Sequence, residues 1–356
     1  MKITSVQEPA EWLARLGVSL ARVERKLSQK RCVCLPDFFI DILLFMPMPV
    51  SNFLEIFHDN LRGEGRNIYA SRGRIVPGGN AFNTARTLAT LGCSTAFIGE
   101  SDEFGSAIAA KVAFDIPELE LLLRISDRLN STTAVEIQDE KLTTHNIQLS
   151  VAEALRNWGP EELTSQDEEE ISKADLVYFS NWGVNTYGND LLERILEIAA
   201  GMVMFDPGNV FAGKQRIEIL LELLQNTHAL SLNFDEFNFL EKQTRLLHSN
   251  ISLESHLENT TIFIHGHTKV KILQKGKQTE IPTFKIEPRV QTGLGDSFAA
   301  GAAAGLLSGI SAPEAAVLGS SVAGHYAKSL ILPNIEDIEL FLQKEKLRSL
   351  IGPDAN

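Results

Sequence analysis

Two glycines and an aspartate, set just before a helix, carry the clearest chemistry in the chain. Residues 290–298 read Val-Gln-Thr-Gly-Leu-Gly-Asp-Ser-Phe, and the small-residue run from Ala299 to Gly305 predicts a helix directly afterwards. Gly293 and Gly295 allow the backbone to turn tightly and point its N–H groups outward. The helix that follows adds unpaired N–H donors and the positive end of its dipole. Together they make a socket for an anion, most naturally a phosphate. Asp296 stands at the rim, where a carboxylate could take the proton of an attacking hydroxyl. A phosphate cradle beside a base is what phosphoryl transfer to an alcohol requires.

Other polar residues sit at places where an apolar pattern ends. Asp37 and Asp41 fall inside the run 31–45, which reads as one apolar strand. A carboxylate buried without a partner is costly, so each is either a hydroxyl binder facing a cleft or an acid in a solvated turn. Gly78-Gly79 makes a tight turn ahead of a helix that ends at Gly92. Asn80 and Asn83 lie three apart on its first turn, so both carboxamides can face one side and hold a polyol. Taken alone, Asn80 reads as a simple helix cap. Asn233-Phe234-Asp235-Glu236 follows a strand. Its Asn-x-x-Glu spacing is that of a capping box, and equally of a carboxylate helping to hold Mg²⁺. His265-Gly266-His267 ends the next strand with no third metal ligand nearby, which favours a turn where a nucleotide passes close to Gly266.

These residues need a scaffold that brings them to one edge. From about residue 160, short apolar strands alternate with helices: 175–180, 202–205, 228–232 and 261–265 as strands, 190–200, 217–225 and 235–247 as helices. That pattern implies a parallel sheet covered on both faces, which binds ligands beyond the carboxyl ends of its strands. Residues 131–149 alternate apolar and polar around an Asp139-Glu140 turn and read as a hairpin. Segment 46–76, with Gly63, Gly65 and Gly73, reads as helix or loop and short strands. Near the start, Trp12, Leu13, Leu16, Leu20, Val23 and Leu27 recur at helical spacing. That stripe suits packing on the chain's own domain, or a dimer contact. The expected organisation is a helical extension over 1–30 and one α/β domain over 31–356. A small β appendage is drawn from about 46–76 and 126–150.

Composition excludes several classes. With 33 Lys and Arg against 46 Asp and Glu the formal charge is −13, which disfavours a general nucleic-acid binder. No apolar run reaches the ~20 residues needed to span a bilayer, so no membrane partner is expected. The N-terminus lacks a signal-peptide core. Three cysteines, Cys32, Cys34 and Cys93, give no disulfide framework and suit a reducing cytoplasm. A P-loop motif is absent, and Gly293-Leu294-Gly295 lacks the third glycine of a dinucleotide fingerprint.

The order of these pieces resembles the ribokinase-like, or PfkB, family of carbohydrate kinases over roughly residues 31–340. Pro77-Gly78-Gly79-Asn80-Ala81-Phe82-Asn83, running into Leu91-Gly92, looks like its first signature. Thr292-Gly293-Leu294-Gly295-Asp296, with Ser297, Phe298 and Gly301, looks like its second. Asn233–Glu236 and Asp206-Pro207 match two further elements. The resemblance implies a three-layer α/β/α fold with a mainly parallel central sheet, whose β appendage is a lid. It implies an ATP- and Mg²⁺-dependent kinase acting on a sugar or sugar-like alcohol. Asp296 would be the general base, with Gly293, Leu294 and Gly295 as the anion hole. Asp41, Gly78, Gly79, Asn80 and Asn83 would grip the acceptor. Asn233, Gly266, Thr292, Ser320 and Ala323 would line the nucleotide, and Glu236 would serve the metal. A homodimer is compatible with it.

The chain departs from that pattern at Val290 and Gln291, where Asp-Thr is usual. It departs again at Pro36 and at Lys269, where glycines are common. Valine cannot ligate a monovalent cation, so activation by K⁺ is expected to be weak or absent. Arg86 follows Asn83 at the spacing of some phosphosugar kinases of the family, so the resemblance leaves it either a binder of a phosphate on the acceptor or an exposed helix arginine; nucleosides, which related members phosphorylate, stay open beside free sugars. The competing class is a silent relative that binds a sugar or nucleotide without turning it over.

Overall fold

The computed structural model describes residues 9–63, 67–138, 144–290 and 292–345. Gly65, the Asp139-Glu140 turn and Gln291 lie outside the described residues. The chain begins with helix α1 (Pro9–Leu27), then strands β1 (Arg31–Leu35) and β2 (Phe39–Met46), helix α2 (Val50–Leu61), strand β3 (Arg72–Gly78) and helix α3 (Asn80–Thr90). It continues with β4 (Ser94–Ser101), α4 (Glu103–Phe114), β5 (Leu119–Ile125), β6 (Asn130–Gln138), β7 (Thr144–Ala152) and the short α5 (Glu153–Arg156). Alternation follows: α6 (Ser165–Lys173), β8 (Leu176–Ser180), α7 (Gly188–Ile198), β9 (Met202–Asp206), α8 (Ile217–Leu224), β10 (Ala229–Asn233), α9 (Phe234–Leu247), α10 (Leu253–His256) and β11 (Thr261–His265). A hairpin of β12 (Lys269–Gln274) and β13 (Lys277–Pro282) precedes the closing helices α11 (Leu294–Leu307), α12 (Ala312–Ser329) and α13 (Ile335–Lys344).

The large sheet has the order β13-β12-β11-β10-β9-β8-β1-β4-β5. Strands β11 through β5 in that order pair parallel, and the β12–β13 hairpin adds an antiparallel edge. Successive strand residues point to opposite faces, so each strand feeds two cores. Cys32, Tyr178, Met204 and Phe263 pack with α1, α3, α11 and α12. Val33, Phe179, Phe205 and Ile262 pack with α7, α8 and α9. The result is the three-layer arrangement. Strand order reverses at β1, between β8 and β4, and such a point opens a crevice at the carboxyl edge.

The run 31–45 is not one strand. It breaks at Pro36, whose peptide bond with Leu35 is cis, and β2 belongs to a second sheet of order β3-β2-β6-β7. That sheet therefore takes in residues 39–46, upstream of the segment assigned to it above. The reason is Asp37, whose carboxylate holds the chain at the crossing, as described below. Hydrophobicity runs through the break because both sheets bury a face. Trp12, Leu16, Leu20, Val23 and Leu27 are all buried, and α1 lies against α11, α12 and α13, so its apolar stripe is used within the chain. Among the described residues no helix is long and apolar enough to cross a membrane.

Candidate active site

The start of α11 is built as its glycines suggest. Gly293 caps the helix in the left-handed region, with φ of 80°, where a side chain would be strained. The first intrahelical bond runs from Ser297 N–H to the Gly293 carbonyl, 3.0 Å. The N–H groups of Leu294, Gly295 and Asp296 therefore begin the helix without intrahelical partners. A Cβ on Gly295 would lie 3.2 Å from the His265 ring, so the loop rests closely on the end of β11. Asp296 is buried, and its Oδ2 accepts a hydrogen bond from Asn83 Nδ2 at 2.8 Å. One amide thus joins the two signature segments across 213 residues.

A second knot holds the first signature. Asp37 is fully buried. Its carboxylate accepts from Asn80 N–H (2.5 Å), Ala81 N–H (3.1 Å), the Ser180 hydroxyl (2.6 Å) and the Asn181 amide (3.2 Å). It thereby caps α3 from a distant segment, replacing the solvated turn that the sequence allowed. Asn80 does not cap: it is the first helical residue, and Gly79 precedes it with φ of 96°. A Cβ on Gly79 would meet the Asp37 carbonyl at 2.5 Å, and one on Gly78 would meet the Asp41 carboxylate at 2.1 Å. Both glycines are therefore demanded by close approach. Asp41 reaches this place from β2, whose register sets it opposite Val76 of β3.

Asp41, Leu43, Val76, Pro77, Asn83, Arg86, Val290, Thr292, Gly293 and Tyr326 line one small cavity of about 30 Å³ between the smaller sheet, α3, the segment leading into α11, and α12. Three buried polar atoms of its lining residues have no hydrogen-bond partner in the protein: Asn83 Oδ1, Arg86 Nε and Thr292 Oγ1. Unmet buried polar groups of this kind are expensive in isolation and are the marks of a ligand site. Asn80 and Ala323 are half-buried, Ser320 is buried with its hydroxyl unpartnered, and none of the three lines this cavity.

Next along the edge, Asn233 and Glu236 form a full capping box. Asn233 Oδ1 accepts from Glu236 N–H at 2.9 Å, and Glu236 Oε2 accepts from Asn233 N–H at 2.7 Å. That leaves Glu236 Oε1 outside the box. Gly266 sits against the Phe234 ring, 2.7 Å from where its Cβ would stand. Asp206, ending β9, is buried and accepts from the Tyr178 hydroxyl (3.2 Å) and Gly208 N–H (2.9 Å). Tyr178 and Ser180 were not singled out in the sequence. Their only signal is a polar group inside an otherwise apolar strand.

The electrostatics follow from crowding carboxylates into little water. Burial raises Asp296 to about 6, aided by Asp37 and opposed by the Asn83 hydrogen bond and Arg86. Burial also raises Asp41 to about 6, with Asp296 and Asp37 adding to it and Arg86 opposing. Glu236 rises to about 7, chiefly by burial, and Asp206 is pushed well up by burial and by the Glu236 charge. Burial likewise raises Asp37 against its four hydrogen bonds. His265 is held down to about 4 by burial and by neighbouring His267, so it is neutral at pH 7.

Fold and site together belong to the small-molecule phosphotransferases that use an alcohol as acceptor. The family model described as "pfkB family carbohydrate kinase" matches residues 50–329, and the chain belongs to that family. No curated protein matches the sequence. Among solved structures, the ribokinase of Thermotoga maritima is similar at 20% identity and a TM-score of 0.62, over 88% of this chain and 99% of that one. The nucleoside kinase of Methanocaldococcus jannaschii is 20% identical with a TM-score of 0.67, over 88% and 98%. The ribokinase of Arabidopsis thaliana, solved with ribose and ATP, is 19% identical with a TM-score of 0.66, over 88% and 99%.

Proposed function

We propose that this protein transfers the terminal phosphoryl group of ATP to a hydroxyl of a sugar-like small molecule, with Asp296 as general base. The observation that carries this reading is the Asp296 carboxylate: buried, bonded through one oxygen to Asn83, and carried on the same first turn of α11 as the unpaired N–H groups of Leu294 and Gly295. Asn83 orients Oδ2 and leaves Oδ1 toward the acceptor. A base near 6 is ionised at neutral pH, yet basic enough to draw a proton as the bond forms. Leu294 and Gly295 N–H groups, with the helix dipole, stabilise charge on the migrating group. Asp41 accepts a hydrogen bond from a second acceptor hydroxyl. The four-stranded sheet acts as a lid that keeps water from competing for the phosphoryl group. Since the cavity holds about one water, the lid opens for the acceptor to enter.

Mg²⁺ prefers oxygen ligands and keeps several waters. Glu236 and Asp206 form an all-oxygen set, both raised chiefly by burial with the Glu236 charge adding to the rise at Asp206, and that set fits the ion. Its chemistry would be to neutralise phosphate charge. Asn233, Gly266, Thr292, Ser320 and Ala323 would line the nucleotide. Val290 offers no side-chain oxygen to a monovalent cation, so turnover is expected to be equal in K⁺ and Na⁺ buffers.

A second reading, in which the acceptor already carries a phosphate, is favoured by Arg86. Its Nε is buried without a partner and faces the cavity that Asp41 shares. The test is phosphorylation of a panel of sugars, sugar phosphates and nucleosides with Mg·ATP, with products identified by mass. Transfer to any of these that Asp296→Asn abolishes supports the base assignment; equal turnover in both proteins sinks it. A preference for sugar phosphates that disappears in Arg86→Gln supports the second reading.

A further inference from the structure

Three side chains that take no part in the cleft converge at the far end of α9. Glu222 comes from the last turn of α8, His248 is the residue at which α9 ends, and His256 closes α10. One ligand atom from each lies within 4.8 Å of the other two. His248 Nε2 stands 3.7 Å from Glu222 Oε1. The two imidazole rings stack with centroids 4.2 Å apart and planes 30° off parallel, and one nitrogen of each lies within 4.8 Å of the other and of a carboxylate oxygen. His248 Nε2 is closed off from solvent and has no hydrogen-bond partner. A buried nitrogen left unmet costs free energy, and here it faces an acid and a second imidazole.

The backbone that presents these groups is pinned. Ser249 and Asn250 both adopt left-handed φ, 52° and 67°, and reverse the chain after His248. Asn250 N–H returns to the Arg245 carbonyl at 2.9 Å. Glu241 Oε2 accepts from Leu253 N–H at 2.6 Å, tying α10 to α9. Neighbours also orient the ligand side chains. Gln225 donates to Glu222 Oε2 at 2.9 Å. The Leu221 carbonyl and the Gln225 amide lie 3.1 and 3.4 Å from His256 Nε2. Such outer contacts are what hold metal-ligating imidazoles and carboxylates in place.

We propose that Glu222, His248 and His256 form a binding site for a divalent transition metal of the zinc type, which clamps the α9–α10 corner onto α8. Two imidazoles and a carboxylate are a donor set that zinc accepts, with water in the fourth position. Tetrahedral zinc with bonds of ~2.0–2.1 Å holds its ligands roughly 3.3 Å apart. The present spacing, within 4.8 Å for all three and 3.7 Å between His248 and Glu222, must close by at most about 1.5 Å to reach it. The site is selective against the Mg²⁺ of the cleft, because Mg²⁺ takes oxygen rather than imidazole. It anchors the far end of α9, a helix of 14 residues whose start carries the Asn233–Glu236 box.

The experiment uses the whole chain, stripped with a chelator and then held in saturating Mg²⁺. It is titrated with Co²⁺ under visible spectroscopy and with Zn²⁺ by calorimetry. The expected result is one ion per chain, with the intense visible bands of tetrahedral Co²⁺ and a Zn²⁺-dependent rise in the midpoint of thermal unfolding. His248→Asn, which suits a helix end, and His256→Ala should each weaken binding by at least about tenfold and remove the thermal shift. Turnover with Mg·ATP should stay as it was. Absence of stoichiometric binding, or equal binding in both variants, overturns the proposal.

Discussion

The two edges of the large sheet treat most of their acids differently, although buried Glu100 near the carboxyl end of β4 pairs with Arg128 at 2.7 Å. At the amino edge several acids meet a base. Lys30 pairs with Asp175 at 2.6 Å, and Arg31 bridges Glu170 (2.6 Å) and Glu120 (2.5 Å). Arg194 holds Glu168 at 2.7 Å. Burial would push Asp175 up, but hydrogen bonds from Lys30 and the Arg31 N–H hold it below the ordinary carboxylate value. At the carboxyl edge Asp37, Asp41, Asp206, Glu236 and Asp296 are all raised, and Arg86 is the cation that opposes the rise at Asp41 and Asp296. Partly exposed pairs such as those at the amino edge contribute little to stability. Buried acids without cations cost stability and are kept for what they do. The contrast separates an edge whose acids are neutralised at little consequence from the edge where the proposed transfer chemistry would sit.

The largest effect is expected at Asp296. Asp296→Asn should lower kcat by about 10²–10⁴-fold, the usual worth of a general base, while the fold persists. The same variant should also be the more stable protein at pH 8. The Asp296 carboxyl rises from 3.8 to about 6 on folding, so its stabilising contribution is full below the lower value and is lost as pH rises through the upper one. Unfolding midpoints of the two proteins should therefore differ at pH 8 and converge below about pH 4. A less stable Asp296→Asn at pH 8 would break the contrast between the edges.

Next in size is Gly78→Ala. Its Cβ would stand 2.1 Å from an Asp41 oxygen, so the carboxylate must move, and displacement of this order costs up to about 10²-fold in kcat/KM. The loss should appear in KM for the acceptor and spare KM for ATP. An unchanged acceptor KM would remove Asp41 from the acceptor site. A smaller effect is set by pH. With the base near 6, kcat/KM should fall about tenfold per unit on the acid side of that value, and a flat profile down to pH 5 would count against Asp296 as base. The smallest effect belongs to the other edge. Asp175→Asn should cost no more than about 1 kcal/mol in denaturant unfolding and leave turnover untouched, whereas a large loss there would put both edges on one footing.

Much of this was readable along the chain. The alternation of strands and helices after residue 160, the glycine turn at 78–79 and the glycine-capped start of α11 are local patterns, and each formed where its residues predict. The break at Pro36 was not readable, because Phe38, Phe39 and Ile40 are as apolar as the strand before them and are buried just as fully. Nor was the cap on α3. Asp37 lies 43 residues before the Asn80 N–H that it accepts, and capping rules look only a few residues back. Val290 is a different case: its lack of a side-chain oxygen is plain in the sequence, and the structure adds that it lines the small cavity shared by Asp41, Asn83 and Arg86.

Helix starts, strand faces and tight turns depend on neighbours within a turn or two, so residue types alone settle them. Which carboxylates share a cleft depends on how two sheets cross, and that is a long-range matter. The Asn83–Asp296 bond spans 213 residues. The elevation of Asp41 arises from burial and from Asp296 and Asp37, which reach it from a helix start and from the crossing between the two sheets. Asp296 was legible as an acid beside an anion socket. Its proton affinity came from packing, because desolvation acts only once the surrounding chain has folded over the group.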